Sequence, residues 1–252
     1  MSLSLPDWHR RFLEQARWTA ALRSDLLGKA GIREAKRVLE VGCGTGAVLS
    51  ATSGDSPALR IGLDRDPAHL AFARSRSVDA HFVCGDAFAL PVASQSCDIV
   101  YSHFLLLWLQ EPRQALTEMR RVVRRRGAVL SLAEPDYDAR IDFPAALAEA
   151  GRLQRDSLAR QGADPAAGRR VAALMAECGL RVAEAGILGA RWTSADDGAA
   201  LSGEWDTLRA DLRDALPEDR LEELRRMDST ARGSGARVLF VPTFYCLAFR
   251  ED

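Results

Sequence analysis

The chain has 252 residues, 47% of them hydrophobic, with 34 Lys+Arg against 35 Asp+Glu. That composition suits a soluble globular protein able to bury a sizeable core, and its longest apolar runs, six residues such as 104–109, fall far short of the ~18 needed to span a membrane. A net charge of −1 argues against a nucleic-acid protein, which gathers a basic excess on one face. Arg10, Arg11, Glu14 and Arg17 interrupt any apolar leader segment. Residues 8–30 read instead as one or two amphipathic helices, with Phe12, Ala16, Ala20 and Leu27 near helical spacing and Gly31 as the stop. From Arg37 short apolar runs alternate with helix-length segments. Strands are expected at 38–41, 59–63, 80–84, 98–102 and 128–134, and again at 181–188 and 237–249. Asp66-Pro67 and Glu111-Pro112 each open a helix. The second helix is expected to close on Arg124, Arg125 and Arg126 with Gly127 as its cap; cations complement a helix C-terminus, a plainer reading than a phosphate-binding patch. Residues 140–180 and 193–232 read as helical insertions over one end of the sheet. Such alternation implies parallel strands with right-handed crossovers, hence a doubly wound α/β fold.

The chemistry-bearing motifs fall at strand ends. Val38-Leu39-Glu40-Val41 runs into Gly42-Cys43-Gly44-Thr45-Gly46 and then a helix near Ala47. Glycines permit positive φ and close backbone approach to a ligand. Gly42-x-Gly44-x-x-Ala47 also satisfies the relaxed dinucleotide fingerprint, so the glycines alone are ambiguous. Glu40 discriminates, because a carboxylate beside the turn repels a pyrophosphate and suits an ammonium group. Asp64, at the end of the second strand, has the two-acceptor geometry for a ribose diol. Asp66 is explained by its helix-capping position. Asp86, after the third strand, is placed to accept from an exocyclic amine, and Ser102-His103 end the fourth. Ligands of open α/β sheets bind outside these carboxyl ends, where strand order reverses.

In order, VLEVGCGTG, GLDRD, GDAFALP, CDIVYSHFLLLWL and EMRRVVRRRGAVL resemble the motif set of class I S-adenosylmethionine-dependent methyltransferases. Within that family the chain is similar to the small-molecule group that includes ubiquinone and menaquinone methyltransferases. The resemblance spans roughly residues 37–134. It implies a Rossmann-like, seven-stranded sheet with an antiparallel last strand supplied by 237–249, and N-terminal helices folded over the cofactor. It implies that Glu40, Gly42, Cys43, Gly44, Thr45 and Gly46 hold the methionine portion of S-adenosyl-L-methionine, and Asp64 the ribose. Arg65, Asp86 and Ala87 would address the adenine, with Ser102 near the sulfonium. Residues 1–252 are then expected to form one domain: a helical lid (1–36), a cofactor-binding core (37–134) and the two insertions on the acceptor side.

On that acceptor side, His103 is the candidate general base, its alternative being a capping or core histidine. Glu134, Asp136 and Tyr137, after the fifth strand, are expected to line the acceptor site, and Trp18 to act as a lid residue over cofactor or acceptor. The expected partner is a small organic acceptor of the methyl group, not nucleic acid. Two rivals remain at this point, an NAD(P)-dependent oxidoreductase and a non-catalytic S-adenosylmethionine-binding protein. Lys29 and Lys36 are the only lysines, and neither is placed for a Tyr/Lys dehydrogenase site. Cys43, Cys84, Cys97, Cys178 and Cys246 show no CxxC pair and no metal-ligand spacing with the four histidines, so no metal and a reducing, cytoplasmic setting are expected.

Overall fold

The structure is a computed structural model and describes residues 4–52, 58–76, 79–189, 205, 207–213 and 215–252. The N-terminal segment forms two helices, α1 (Leu5–Trp18) and α2 (Ala20–Lys29). Ser4 starts α1 with a capping box: its Oγ accepts the Asp7 N–H and Asp7 Oδ2 accepts the Ser4 N–H at 3.2 Å. Thr19 separates the helices, its hydroxyl turned back to donate to the Gln15 carbonyl at 2.8 Å.

Five strands then run parallel: β1 (Arg37–Val41), β2 (Leu59–Asp64), β3 (His81–Cys84), β4 (Cys97–Ser102) and β5 (Val123–Pro135). The crossovers contain α3 (Ala47–Ala51), α4 (Pro67–Ser75) and α5 (Pro112–Val122). Asp66 caps α4 by accepting the Ala68 N–H at 2.8 Å, with Pro67 at the first helical position. Beyond β5 come β6 (Ile141–Phe143), α6 (Ala148–Arg160), α7 (Ala167–Glu177) and β7 (Arg181–Ile187). The chain finishes with α8 (Glu218–Gly233), β8 (Val238–Phe240) and β9 (Thr243–Phe249). The main sheet has the order β3-β2-β1-β4-β5-β9-β7, with β9 antiparallel to both its neighbours. Strand order reverses between β1 and β4, which is where such sheets hold ligands.

Strand alternation divides the core into two layers. Leu39, Val41, Val100 and Val129 face α5 and α7 through Leu116, Met119, Val171 and Met175. Val38, Ile99, Tyr101 and Leu130 pack on the other face with Leu26, Leu27 and Leu49. A sheet buried on both faces explains why β1, β4 and β5 read as near-continuous apolar runs. A third cluster (Leu147, Ala150, Leu208, Leu212, Leu221, Leu224) is the core of a cap built by α6, α8 and helical residues 207–212.

Three expectations about elements need correction. Helix α5 stops at Val122 and the chain passes directly into β5, so Arg124 to Arg126 are not a last helical turn. Arg124 pairs with Asp98 at 2.5 Å, and Arg126, not Gly127, takes the positive φ (+59°). Gly127 is required for space, since a Cβ there would lie 2.7 Å from the Asp98 carbonyl oxygen. Residues 237–249 are not one strand: Pro242, lacking an N–H, separates β9 from β8, and β8 pairs with β6 in a sheet of its own. The 140–180 insertion therefore opens with a strand. Of the 193–232 insertion, residues 193–204, 206 and 214 lie outside the described residues.

Candidate active site

A cavity of about 490 Å³ opens at the carboxyl ends of β1, β2 and β3, between the glycine turn, α1 and the cap. The turn leaves β1 with positive φ at Gly42 (+75°), Gly44 (+51°) and Gly46 (+74°). A Cβ at Gly42 would lie 2.7 Å from Leu105 Cδ1, so the backbone comes close to a side chain that lines the cavity. Four N–H groups of the turn already have protein acceptors. Gly42 and Cys43 donate to the Leu63 carbonyl (2.8 and 2.9 Å), Gly44 to Asp64 Oδ2 (2.7 Å) and Gly46 to the Cys43 carbonyl (2.8 Å). A phosphate cradle works by presenting such N–H groups to an anion; here they are engaged.

The acidic side chains at the same end set its electrostatics. Glu40 is buried and accepts the Tyr101 hydroxyl at 3.2 Å. Burial pushes its pKa up to about 8, against the lowering by Tyr101 and by the charge of Arg23. Burial also works to raise Asp64, but the nearby His69 and the hydrogen bonds from the Asp66 and Gly44 N–H groups outweigh it, and the carboxyl sits below its ordinary range. Asp64 holds His69, 3.9 Å away, above the usual imidazole pKa. Asp86 Oδ1 accepts the Phe88 N–H at 2.9 Å, shaping the turn after β3. Glu40, Asp64, Asp66 and Asp86 all line the cavity, with Arg65 and Ala87. Their chemistry suits a ligand that presents an ammonium, hydroxyls and an amine, and opposes a pyrophosphate. S-Adenosylmethionine presents the first three.

Two histidines tie α1 and Thr19 down over this end. His9 Nδ1 and Thr45 Oγ1 are hydrogen-bonded at 2.8 Å, and His103 Nε2 and Thr19 Oγ1 at 3.1 Å. As a result Trp8, Arg11, Phe12 and Gln15 of α1 line the cavity. His103 lines it as well, but burial, reinforced by the charge of Arg23, drops its pKa to about 3. Bonded to Thr19 and held neutral so far down, His103 fits the capping or core alternative better than the general base.

Other expected positions are also corrected. The Glu134 carboxylate is fully buried and accepts the N–H groups of Leu105 (2.8 Å), Leu106 (2.8 Å) and Leu107 (3.3 Å). Burial lifts its pKa to about 7 against those three donors. Asp136 is fully buried, gripped by Arg169 (2.6 Å to Oδ1) and by the Ala139 N–H (3.1 Å). Both carboxylates therefore shape loops and neither lines the cavity. Trp18 is 49% exposed and packs edge-on against Phe104, outside the lining. Ser102 is buried beside Ser131, away from the lining, and neither hydroxyl has a hydrogen-bond partner among the described residues. Thr45, bonded to His9, and Gly46, against Phe82 and Ala73, do not line the cavity, whereas Gly42, Cys43, Gly44 and Tyr137 reach it. Burial pushes the Cys43 thiol up, leaving it an apolar filler at neutral pH.

The sequence reading missed the far end, where Gln154, Leu158, Gln161, Thr207 and Asp211 of the cap complete the lining. No local motif marks them. They come together only when α6 and residues 207–212 pack through the leucines of the cap core. Among the described residues no cluster of metal-ligating side chains occurs, and no helix is long and apolar enough to cross a membrane.

Residues 39–131 match the family described as methyltransferase domain. A malonyl-[acyl-carrier protein] O-methyltransferase of Marinomonas sp. (strain MWYL1) is 35% identical over 109 residues, 42% of this chain and 40% of that protein. A demethylmenaquinone methyltransferase of Thermotoga maritima is 35% identical over 104 residues, 40% of this chain and 45% of that protein. The chain thus matches less than half the length of these curated relatives. Among solved structures the [4+2]-cyclase SpnF superposes with a TM-score of 0.59 at 17% identity, covering 93% of this chain and 81% of that one. That likeness concerns the fold alone. The strand order, the glycine turn flanked by Glu40 and Asp64, and the family match agree on a methyltransferase domain of the class I S-adenosylmethionine-dependent kind over residues 39–131.

Proposed function

We propose that the protein transfers the methyl group of S-adenosylmethionine to a small organic acceptor. The observation that carries this reading is the pairing of an acidic cavity wall with a glycine turn whose N–H groups are already engaged. That pairing also opposes the dinucleotide of an oxidoreductase. When bound, the cofactor supplies an electrophilic methyl on a sulfonium and its own leaving group. The protein's part is to bind, orient and exclude water. Glu40, steadied by the Tyr101 hydroxyl, receives the ammonium; Asp64 receives the ribose hydroxyls through the lone pairs not used by Gly44 and Asp66. Arg65, Asp86 and Ala87 border the adenine. Phe12 and Trp8, held down through the His9–Thr45 bond, cover the turn and keep water from it. Tyr137 and the cap residues face the acceptor.

The main sheet draws strands from both halves of the chain, β9 lying between β5 and β7, which supports a single domain. All five cysteines stand as free thiols, three of them buried, which supports a reducing compartment such as the cytoplasm. The test is transfer of labelled methyl from S-adenosylmethionine to a fractionated metabolite extract. Label is expected in a low-molecular-weight fraction. Label in no fraction, or only in macromolecules, contradicts the reading.

A further inference from the structure

The acceptor end of the cavity contains one carboxylate that no motif announces. Asp211, in the helical stretch 207–212, lines the cavity and accepts the Gln154 Nε2–H at 2.9 Å. Gln161 lines the cavity beside it. The orientation of Gln154 is set from behind, because Arg140 Nη1 donates to Gln154 Oε1 at 2.5 Å and leaves the amide NH2 to face Asp211. Arg140 is the near end of a buried chain of alternating charges. It pairs with Asp142 (2.6 Å), Asp142 with Arg237 (2.8 Å), and Arg237 with Asp228 (2.5 Å). Asp228 is closed off by Arg232 (2.8 Å) and the Trp205 indole N–H (2.9 Å). Four of these side chains, Arg140, Asp142, Arg237 and Asp228, are at most 8% exposed. Gly151 on α6 makes the approach possible, since a Cβ there would lie 2.8 Å from Arg140 Nε. Buried ion pairs add little stability over an apolar core, and their best-attested use is to fix one arrangement. Here the arrangement fixed is that of Gln154 and hence of Asp211.

A carboxylate has about four acceptor sites and no donor. With the Gln154 amide bound, Asp211 keeps capacity for a ligand N–H and repels a ligand carboxylate. Burial raises its pKa above the ordinary range despite the Gln154 hydrogen bond, the nearby Gln161 and the charge of Arg11, so a cationic partner relieves an unfavourable charge. Trp8, Phe12, Phe104, Trp108 and Tyr137 line the same cavity, and aromatic faces favour a cation over an anion. We propose that Asp211 anchors an amine on the methyl acceptor, and that the Arg140–Asp142–Arg237–Asp228 network holds it in position through Gln154. The proposal rests on the methyl-transfer reading and names the class of acceptor within it.

The test uses the full chain with benzylamine and benzoate as probes, two charges on one aromatic body, titrated calorimetrically with and without S-adenosylhomocysteine. Benzylamine is expected to bind and benzoate to bind at least about tenfold more weakly. Asp211→Asn, which still accepts from Gln154, is expected to weaken benzylamine about tenfold and to leave S-adenosylhomocysteine affinity within about twofold. Gln154→Met, which cuts Asp211 from the network but keeps its charge, is expected to weaken benzylamine about threefold. Benzoate binding as tightly as benzylamine, no benzylamine binding at all, or unchanged benzylamine affinity in Asp211→Asn each overturns the proposal. Amine binding through Asp211 in a chain that ignores S-adenosylhomocysteine would instead overturn the methyl-transfer reading and leave the subsite standing.

Discussion

The two ends of the cavity are built in different ways. The Glu40–Asp64–Asp86 end comes from three short segments at the ends of neighbouring parallel strands, tied by backbone hydrogen bonds such as Gly42 N–H to the Leu63 carbonyl and Gly85 N–H to the Asp64 carbonyl. The Gln154–Asp211 end comes from α6 and a helical stretch some fifty residues later, oriented by buried ion pairs between side chains. A site held by backbone geometry tolerates little change in residue type, because glycine φ and strand register leave few alternatives. A site held by side-chain networks is re-specified by substituting the network. That contrast supports the proposed division, with the cofactor at the first end and acceptor choice at the second.

The largest expected effect couples both ends. Glu134 organises the N–H groups of Leu105, which packs over Gly42, and of Leu107, which packs with Leu158 under the cap. Glu134→Ala leaves three backbone donors without their carboxylate and is expected to cost about 3–5 kcal/mol of stability by urea denaturation. Cofactor and benzylamine affinities should fall together. Asp64→Ala should separate them, weakening S-adenosylhomocysteine about 100-fold by loss of charge-assisted hydrogen bonds to the ligand and to the turn, with benzylamine binding unchanged.

The pH dependence sharpens the same contrast. Glu40 has its folded pKa raised to about 8. The protonated form is therefore favoured in the free fold, and the stability it contributes at acid pH is lost as pH rises from the ordinary carboxylate range through about 8. An ammonium ligand needs the ionised form, so S-adenosylhomocysteine affinity is expected to rise about tenfold per pH unit up to about 8 and then level off. Glu40→Gln should flatten that slope, as read by calorimetry across pH 6–9. The smallest effect belongs to His103. With its pKa near 3 it stays neutral over that range. His103→Asn is expected to change the methyl-transfer rate less than about threefold and to leave its pH profile unmoved.

Legibility in the sequence followed the same division. The first four strands and the turns after them were readable within a residue or two, because their apolar runs, glycines and Asp-Pro cap are local signals. The start of β5 reads otherwise from sequence because arginines before a glycine imitate a helix C-terminus, whereas the Asp98 ion pair holds Arg124 and the Arg126 N–H donates to the Arg250 carbonyl, just past β9. Glu40, Gly42, Cys43, Gly44, Asp64, Arg65, Asp86 and Ala87 border the cavity, since position at a strand end almost dictates that. Glu134, Asp136 and Ser102 occupy equivalent positions and do not, because which donors claim a carboxylate depends on long-range packing. Asp211 was invisible for the same reason: its neighbours Gln154 and Arg140 lie 57 and 71 positions away.

The most direct test of the central claim is a calorimetric titration of the full chain with S-adenosylhomocysteine and, separately, with NADH, on the wild type and Asp64→Ala at pH 8. The account predicts saturable S-adenosylhomocysteine binding, lost about 100-fold in the variant, and no NADH binding. Binding of NADH alone, or full S-adenosylhomocysteine affinity without Asp64, would contradict it.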